Sequence, residues 1–235
     1  MMNERCVLWV MWKNPNSLQL AWVLHRRPYQ DTGLILELFT SQYGRAGAVA
    51  RGGRKHQLLQ PFQPLLVELA GQSDLLRLQH CEPASPPVPL IKQQLYCGIY
   101  LNELLVRILY RHDKQPHLLA AYADALQAIS QRTESMDVVL RRFELLLLAE
   151  LGYAVQFTHD ADARPIQSSG RYVWQGEQGW HLATQGWLGE HLLAIASEQW
   201  SLEVRRVARD IMRIILAPHL GNKPLQSRQL FQSKT

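Results

Sequence analysis

The chain has 235 residues, 47% of them apolar and 19% charged, and a net charge of +5. That is enough for one or two domains with a real core, and it excludes a disordered chain. The charge is unevenly placed: residues 1–80 carry nine basic and five acidic side chains, residues 81–200 nine and thirteen, and residues 201–235 seven and two. Two basic ends around an acidic body suit contact with a polyanion.

Residues 1–18 hold a short apolar patch, Cys6–Trp12, and then a polar turn. They lack the apolar length and small-residue cleavage site of a signal peptide, so they are expected to be an N-terminal extension. Five strands are predicted next, over Gln19–Arg26, Gly33–Thr40, Gly44–Arg51, Phe62–Ala70 and Leu75–Cys81. Apolar residues alternate along them, as in Leu34, Leu36 and Leu38, which gives each strand one buried face. Five short strands in residues 19–81 fit a small barrel better than a sandwich.

Residues 82–89 contain four prolines, which fix φ and remove N–H donors, so this segment is expected to be the domain linker. The period then changes to 3.6. Helices are expected over Leu90–Tyr110, His117–Ile129 behind Pro116, Met136–Leu151 between Ser135 and Gly152, Leu188–Glu198, and Leu202–Ala217 between Ser201 and Pro218. Arg171–Gln175 and Trp180–Ala183 read as a small hairpin in a polar, aromatic loop region. The fold class is therefore α+β: an N-terminal five-stranded barrel, then a helical domain over 90–235 with a hairpin insertion.

The last helix is the sharpest electrostatic feature. At 100° per residue, Arg205, Arg209, Arg213 and Arg206 fall within about 100° of one another, opposite an apolar stripe. Lys223 and Arg228 follow with no acidic residue nearby. In the strand region, Arg26 and Arg27 close one strand, and Arg45, Arg51, Arg54 and Lys55 surround the turn Arg51-Gly52-Gly53-Arg54-Lys55. A basic barrel rim tracks phosphates while aromatics stack bases, and Tyr29, Phe39, Tyr43 and Phe62 are the candidate stackers. Arg141 and Arg142 lie on an otherwise apolar helix. A charge there needs a partner, either an internal one such as Glu144, Glu150 or Glu103, or an acidic-apolar peptide.

No catalytic pattern stands out. Gly44-Arg-Ala-Gly47 lies between strands rather than helices, Gly47–Gly53 lacks the Lys-Ser/Thr of a phosphate loop, and GxSxG and HExxH are absent. His80-Cys81, His112 and His117 lack metal spacing, and Asp160 with Asp162 suits a turn better than a nuclease centre. Cys6, Cys81 and Cys97 form no CxxC pair, which fits a reducing cytoplasm, and no apolar run is long enough to span a membrane.

Several segments, in order, resemble the bacterial RecO family of DNA repair and recombination mediators. They are Ala21-Trp-Val-Leu-His-Arg-Arg-Pro-Tyr, Val49-Ala-Arg-Gly-Gly-Arg, Leu59-Gln-Pro-Phe-Gln-Pro-Leu-Leu, Tyr100-Leu-Asn-Glu-Leu-Leu, Leu140-Arg-Arg-Phe-Glu and Lys223-Pro-Leu-Gln-Ser-Arg-Gln-Leu-Phe. The similarity runs from about residue 19 to 232. It implies an N-terminal OB-fold, a helical C-terminal domain and a role in the RecF recombination pathway. It further implies binding of single- and double-stranded DNA, strand annealing, contact with the C-terminal tail of single-stranded-DNA-binding protein (SSB), and cooperation with RecR in loading RecA. Arg141 falls on the basic position implicated in the SSB-tail site, with Arg142 beside it. Many family members carry four zinc-binding cysteines that Thr158–Trp180 lacks, so no metal and no cofactor is expected. A cytoplasmic, non-enzymatic monomer is expected. The alternative is a protein-interaction adaptor with incidental DNA contacts, and a hydrolase would rest only on Asp160, Asp162 and scattered histidines.

Overall fold

In the computed structural model the described residues are Leu18–Phe231, so the extension expected over 1–18 lies outside them except for Leu18. Five strands close into a barrel: β1 (Gln19–Tyr29), β2 (Gly33–Thr40), β3 (Gly44–Ala50), β4 (Pro64–Ala70) and β5 (Leu75–Pro83), in the order β1-β2-β3-β5-β4. All neighbours are antiparallel except β3 and β5. This is the expected OB-type barrel.

The barrel interior is built from alternating small and large side chains. Ala46, Ala48 and Ala50 on β3 face Leu34, Leu36 and Leu38 on β2, with Ala21, Val23, Leu65, Val67 and Leu76 completing the core. The alanines let a five-stranded barrel close without overpacking. The outer face of β1 is buried too, as Trp22 and Leu24 are nearly inaccessible. A helical pair covers it, α1 (Gln93–Ile108) and α2 (Pro116–Gln131). Asn102 of α1 donates to the Leu24 carbonyl at 3.0 Å and accepts the Tyr122 hydroxyl at 2.6 Å. Tyr122 meets Trp22 edge to face at 5.5 Å. Its burial pushes the phenol pKa far up, so the hydroxyl stays a donor.

The proline-rich segment is tied down rather than loose. Ala84 and Val88 donate to the Pro64 and Phe62 carbonyls at 2.9 Å, and Ser130 of α2 donates to the Pro89 carbonyl at 2.9 Å. The chain divides into two compact units farther along. The first holds the described residues up to Ser130 together with those from Leu225 onward; the second is Gln131–Pro224.

The second unit contains α3 (Met136–Glu150), a small sheet of β6 (Arg171–Trp174), β7 (Trp180–Ala183) and β8 (Trp187–Leu188), then α4 (Gly189–Ala196) and α5 (Leu202–Leu220). Trp180 is buried among Phe157, Trp174 and Trp187 at ring distances of 5.1–5.9 Å, an aromatic core for the hairpin region. Two helix ends depart from expectation. Ser201 caps α5, with the Val204 N–H on its hydroxyl at 3.2 Å, but the Ser135 hydroxyl makes no cap bond to α3 and instead accepts from Arg205. Helix α5 also continues past Pro218 to Leu220. A proline near the end of a helix removes only one bond there, and Gly221 at φ 66° then terminates it.

Finally, α6 (Ser227–Leu230) packs against α1 in the first unit. Leu225 and Ser227 are buried, and Glu103 of α1 accepts the Gln226 and Ser227 N–H groups at 2.9 Å and the Ser227 hydroxyl at 2.5 Å. A carboxylate on the first N–H groups of a helix satisfies donors that have no partner within the helix.

Candidate nucleic-acid interface

The barrel gathers several of the sequence-expected cations at one rim. Strand β1 bulges between Val23 and His25, which re-phases it before Arg26 and Arg27. The β3–β4 connection folds back on the β1–β2 turn: the Arg54 N–H donates to the Thr32 carbonyl at 3.1 Å, and its guanidinium to the Gln30 carbonyl at 2.8 Å. Arg26 donates to the Leu59 carbonyl at 3.3 Å. These bonds set the exposed Arg51 and Arg54 of the β3–β4 connection beside the end of β1 that carries the exposed Arg26 and Arg27. Arg27 and Arg51 make no ion pair among the described residues. Lys55 belongs to the same turn, but its side chain lies outside those described. The two turn glycines serve different ends. Gly52 adopts φ 66° over open space, while a side chain on Gly53 would press to 2.9 Å from the Ala50 Cβ. Gly53 is therefore set by packing and Gly52 by backbone shape.

Arg45 is placed elsewhere. It pairs with Glu37 at 3.4 Å and donates to the Val106 carbonyl at 2.9 Å, tying the barrel to α1. Burial pushes its guanidinium pKa down, Glu37 opposes the shift, and Arg111 adds to it. Arg111, which the sequence reading did not single out, also pairs with Glu37. Arg77 was missed as well. It is exposed on β5 opposite Val49, two residues before Arg51, and the alternation of buried Leu76 with Arg77 could have shown it.

The candidate stackers separate cleanly. Phe39 is fully buried and lies edge-on to Tyr122 at 6.3 Å, and Phe62 is 8% exposed, so neither can stack a base. Both are drawn into the contact between barrel and helices. Tyr43 packs partly on the barrel core, and Tyr29 is exposed at the β1–β2 turn beside the arginines.

In the second unit the α5 arginines carry local partners. Arg205 donates to the Ser135 hydroxyl at 2.6 Å and pairs with Asp137 at 3.3 Å. Arg209 and Arg213 share Asp210 at 3.1 and 3.6 Å, each with half of its side chain exposed. Arg206 is exposed and makes no ion pair among the described residues. Lys223 is exposed in the segment after α5, and Arg228 is partly buried on α6 of the first unit. Arg141 is 6% exposed and pairs with the fully buried Glu144 at 2.5 Å. Arg142 is more open, with Glu134 at 2.5 Å and Glu198 at 2.8 Å.

Asp160 accepts the Asp162 and Arg164 N–H groups at 3.0 and 2.9 Å, the expected turn. Among the described residues no group of three or more His, Cys, Asp or Glu is arranged to hold a metal, and no helix is long and apolar enough to cross a membrane.

A closed five-stranded barrel followed by helical elements is the architecture of an OB-fold protein with an appended helical region. Comparison with known proteins agrees. The family model "Recombination protein O N terminal" matches residues 16–87, and "Recombination protein O C terminal" matches residues 93–229. A DNA repair protein RecO of Cellvibrio japonicus is 44% identical over 228 residues, covering 92% of this chain and 96% of the relative. Those of Pseudoalteromonas atlantica and Yersinia pestis are 39% and 40% identical, covering 90% and 91% of this chain and 92% and 93% of the relatives. The chain belongs to the RecO family of DNA repair proteins.

Proposed function

We propose that this protein works in DNA repair as a mediator that binds rather than cleaves DNA. It holds single- and double-stranded DNA, anneals complementary strands, contacts the C-terminal tail of SSB, and with RecR helps load RecA. It acts as a monomer in the cytoplasm. The observation that carries this reading is the exposed arginine rim, with Arg26 and Arg27 at the end of β1 and Arg51 and Arg54 on the adjoining β3–β4 connection. Annealing needs two polyanions brought together, and such a rim lowers their repulsion by releasing counterions. Arg206, Arg209, Arg213, Lys223 and Arg228 are further candidate contacts. Arg45 and Arg205 are weaker ones, because internal acceptors already hold them.

For the SSB tail the candidates are Arg141 and Arg142. The family resemblance supports Arg141, while exposure favours Arg142. The test is oligonucleotide binding across salt. The logarithm of the affinity for single strands should fall with log salt by about 0.7 per phosphate neutralised. A salt-independent affinity overturns the proposal.

A second reading, an adaptor whose DNA contacts are incidental, is favoured by the acidic partners of Arg205, Arg209 and Arg213. It predicts tail-peptide binding that survives loss of the whole rim, together with repair activity that survives it too.

A further inference from the structure

A groove of about 740 Å³ opens beside the rim, wholly within the first unit. The apolar part of its wall is Leu24 of the barrel, Pro61, Ile99 and Val106 of α1, and Leu230 of α6, with His25 and Asn102 among the polar lining. Pockets of this size and character hold ligands as large as a nucleotide. Two cations reach it. Arg26 lines the groove and belongs to the rim, and Arg107 approaches from α1. The one carboxylate of the lining, Glu103, is occupied by the α6 N–H groups, the Ser227 hydroxyl and, at 3.9 Å, Arg107. Gln226 and Gln229 add amide groups at the edge.

We propose that this groove receives an unstacked base of single-stranded DNA whose backbone crosses the arginine rim. The inference rests on the DNA-binding reading above and adds a place for the base. Two features select this occupant. Arg26 makes the groove continuous with the rim, so a strand following those cations passes its mouth. The charge is also complementary: Arg107 and Glu103 offset each other, and Arg26 leaves the lining with a net positive charge. A cationic path for the backbone beside a place for the base is how single strands are held without reading their sequence. A paired base cannot enter, so the groove favours unpaired strands over duplex.

The test uses the full chain and an oligonucleotide carrying one 2-aminopurine, whose fluorescence reports unstacking and burial, with a matched duplex alongside. Gln226→Glu places a carboxylate at the mouth on an exposed side chain, and Ile99→Ala removes part of the wall. Each variant is expected to weaken single-strand binding about tenfold, to abolish the fluorescence change, and to move duplex affinity less than twofold. Far-ultraviolet circular dichroism and the unfolding midpoint of each variant establish that it is folded. If both folded variants bind single strands like the wild type, the groove proposal is overturned while the rim reading stands. If single-strand and duplex affinity fall together, base selectivity is overturned. If the wild type binds no oligonucleotide at any salt, the underlying reading fails instead. If a labelled acidic-apolar peptide binds the groove and the oligonucleotide does not displace it, the occupant is a peptide and the proposal fails.

Discussion

Glu103 and Ser227 are joined twice: one carboxylate oxygen accepts both the Ser227 N–H, at 2.9 Å, and its hydroxyl, at 2.5 Å. The two residues are far apart in the chain, yet this contact fixes α6 to the middle of α1. Hydrogen bonds to a charged group contribute more than neutral ones, so Glu103→Ala should cost about 2 kcal/mol, and Ser227→Ala about 1 kcal/mol. Urea unfolding measures both. Limited proteolysis should cut the Glu103→Ala protein faster in the exposed residues 221–224 than the wild type. Equal cutting rates would show that the contact does not anchor the segment.

The buried pair of Arg141 and Glu144 makes a sharper stability prediction. Arg141→Met removes the guanidinium that faces a fully buried carboxylate, so a loss of about 3–5 kcal/mol is expected. The double change Arg141→Met with Glu144→Leu removes both charges and should recover most of that loss. Arg142→Ala, at an exposed pair, should cost no more than about 1 kcal/mol. Denaturant midpoints for the set decide this. They also show whether a tail-peptide defect in an Arg141 variant reflects lost binding or lost fold.

Salt dependence separates the rim from the interior. Changing Arg27, Arg51 and Arg54 together to Gln should flatten the slope of log affinity against log salt by about 2 for single strands. Arg45→Gln should leave that slope unchanged. Its guanidinium serves Glu37 and the Val106 carbonyl, so its loss appears in stability, by about 1.5–3 kcal/mol. A flatter slope for Arg45→Gln would place it among the phosphate contacts.

His219 gives a dependence on pH. Burial holds its imidazole pKa below the ordinary 6.5, only partly offset by Glu177, and its ring lies 4.4 Å from Tyr153. The folded state therefore binds the proton less readily than the unfolded chain. The stability contribution is full above pH 6.5 and is lost as pH falls from there toward the folded value. His219→Gln should flatten this part of the stability profile between pH 5 and 7, measured by urea unfolding at each pH.

The strands were legible because period-two patterning is a local property: Leu34, Leu36 and Leu38 announce an inward face wherever the chain goes. The covering of β1 was not. Trp22 and Leu24 look like one apolar face of a strand, and only the distant Asn102 and Tyr122 bury it. Phe39 and Phe62, two of the candidate stackers, are buried by the same helical cover, Phe39 against Tyr122 and Phe62 against Gly98. Glu144 was within reading distance as a partner of Arg141, but the partners of Arg45 and Arg205, which come from other elements, were not. The arginine stripe on α5 stands where the helical wheel puts it, with Asp210, a local acid on the same helix, within reach of two of its members. The proline-rich segment marks the change of period from strands to helices, and the division into compact units falls farther along, after Ser130.

The return of residues 225–231 to the first unit has a consequence for synthesis. The ribosome delivers the barrel, α1 and α2 first, then the whole of Gln131–Pro224, and only afterwards the segment that occupies Glu103. The unit that begins to form earliest is thus completed after the one inserted within it. Until then Glu103 lacks its α6 donors and the apolar surface beneath Leu225 is open to water, a window in which a nascent chain is open to mispairing.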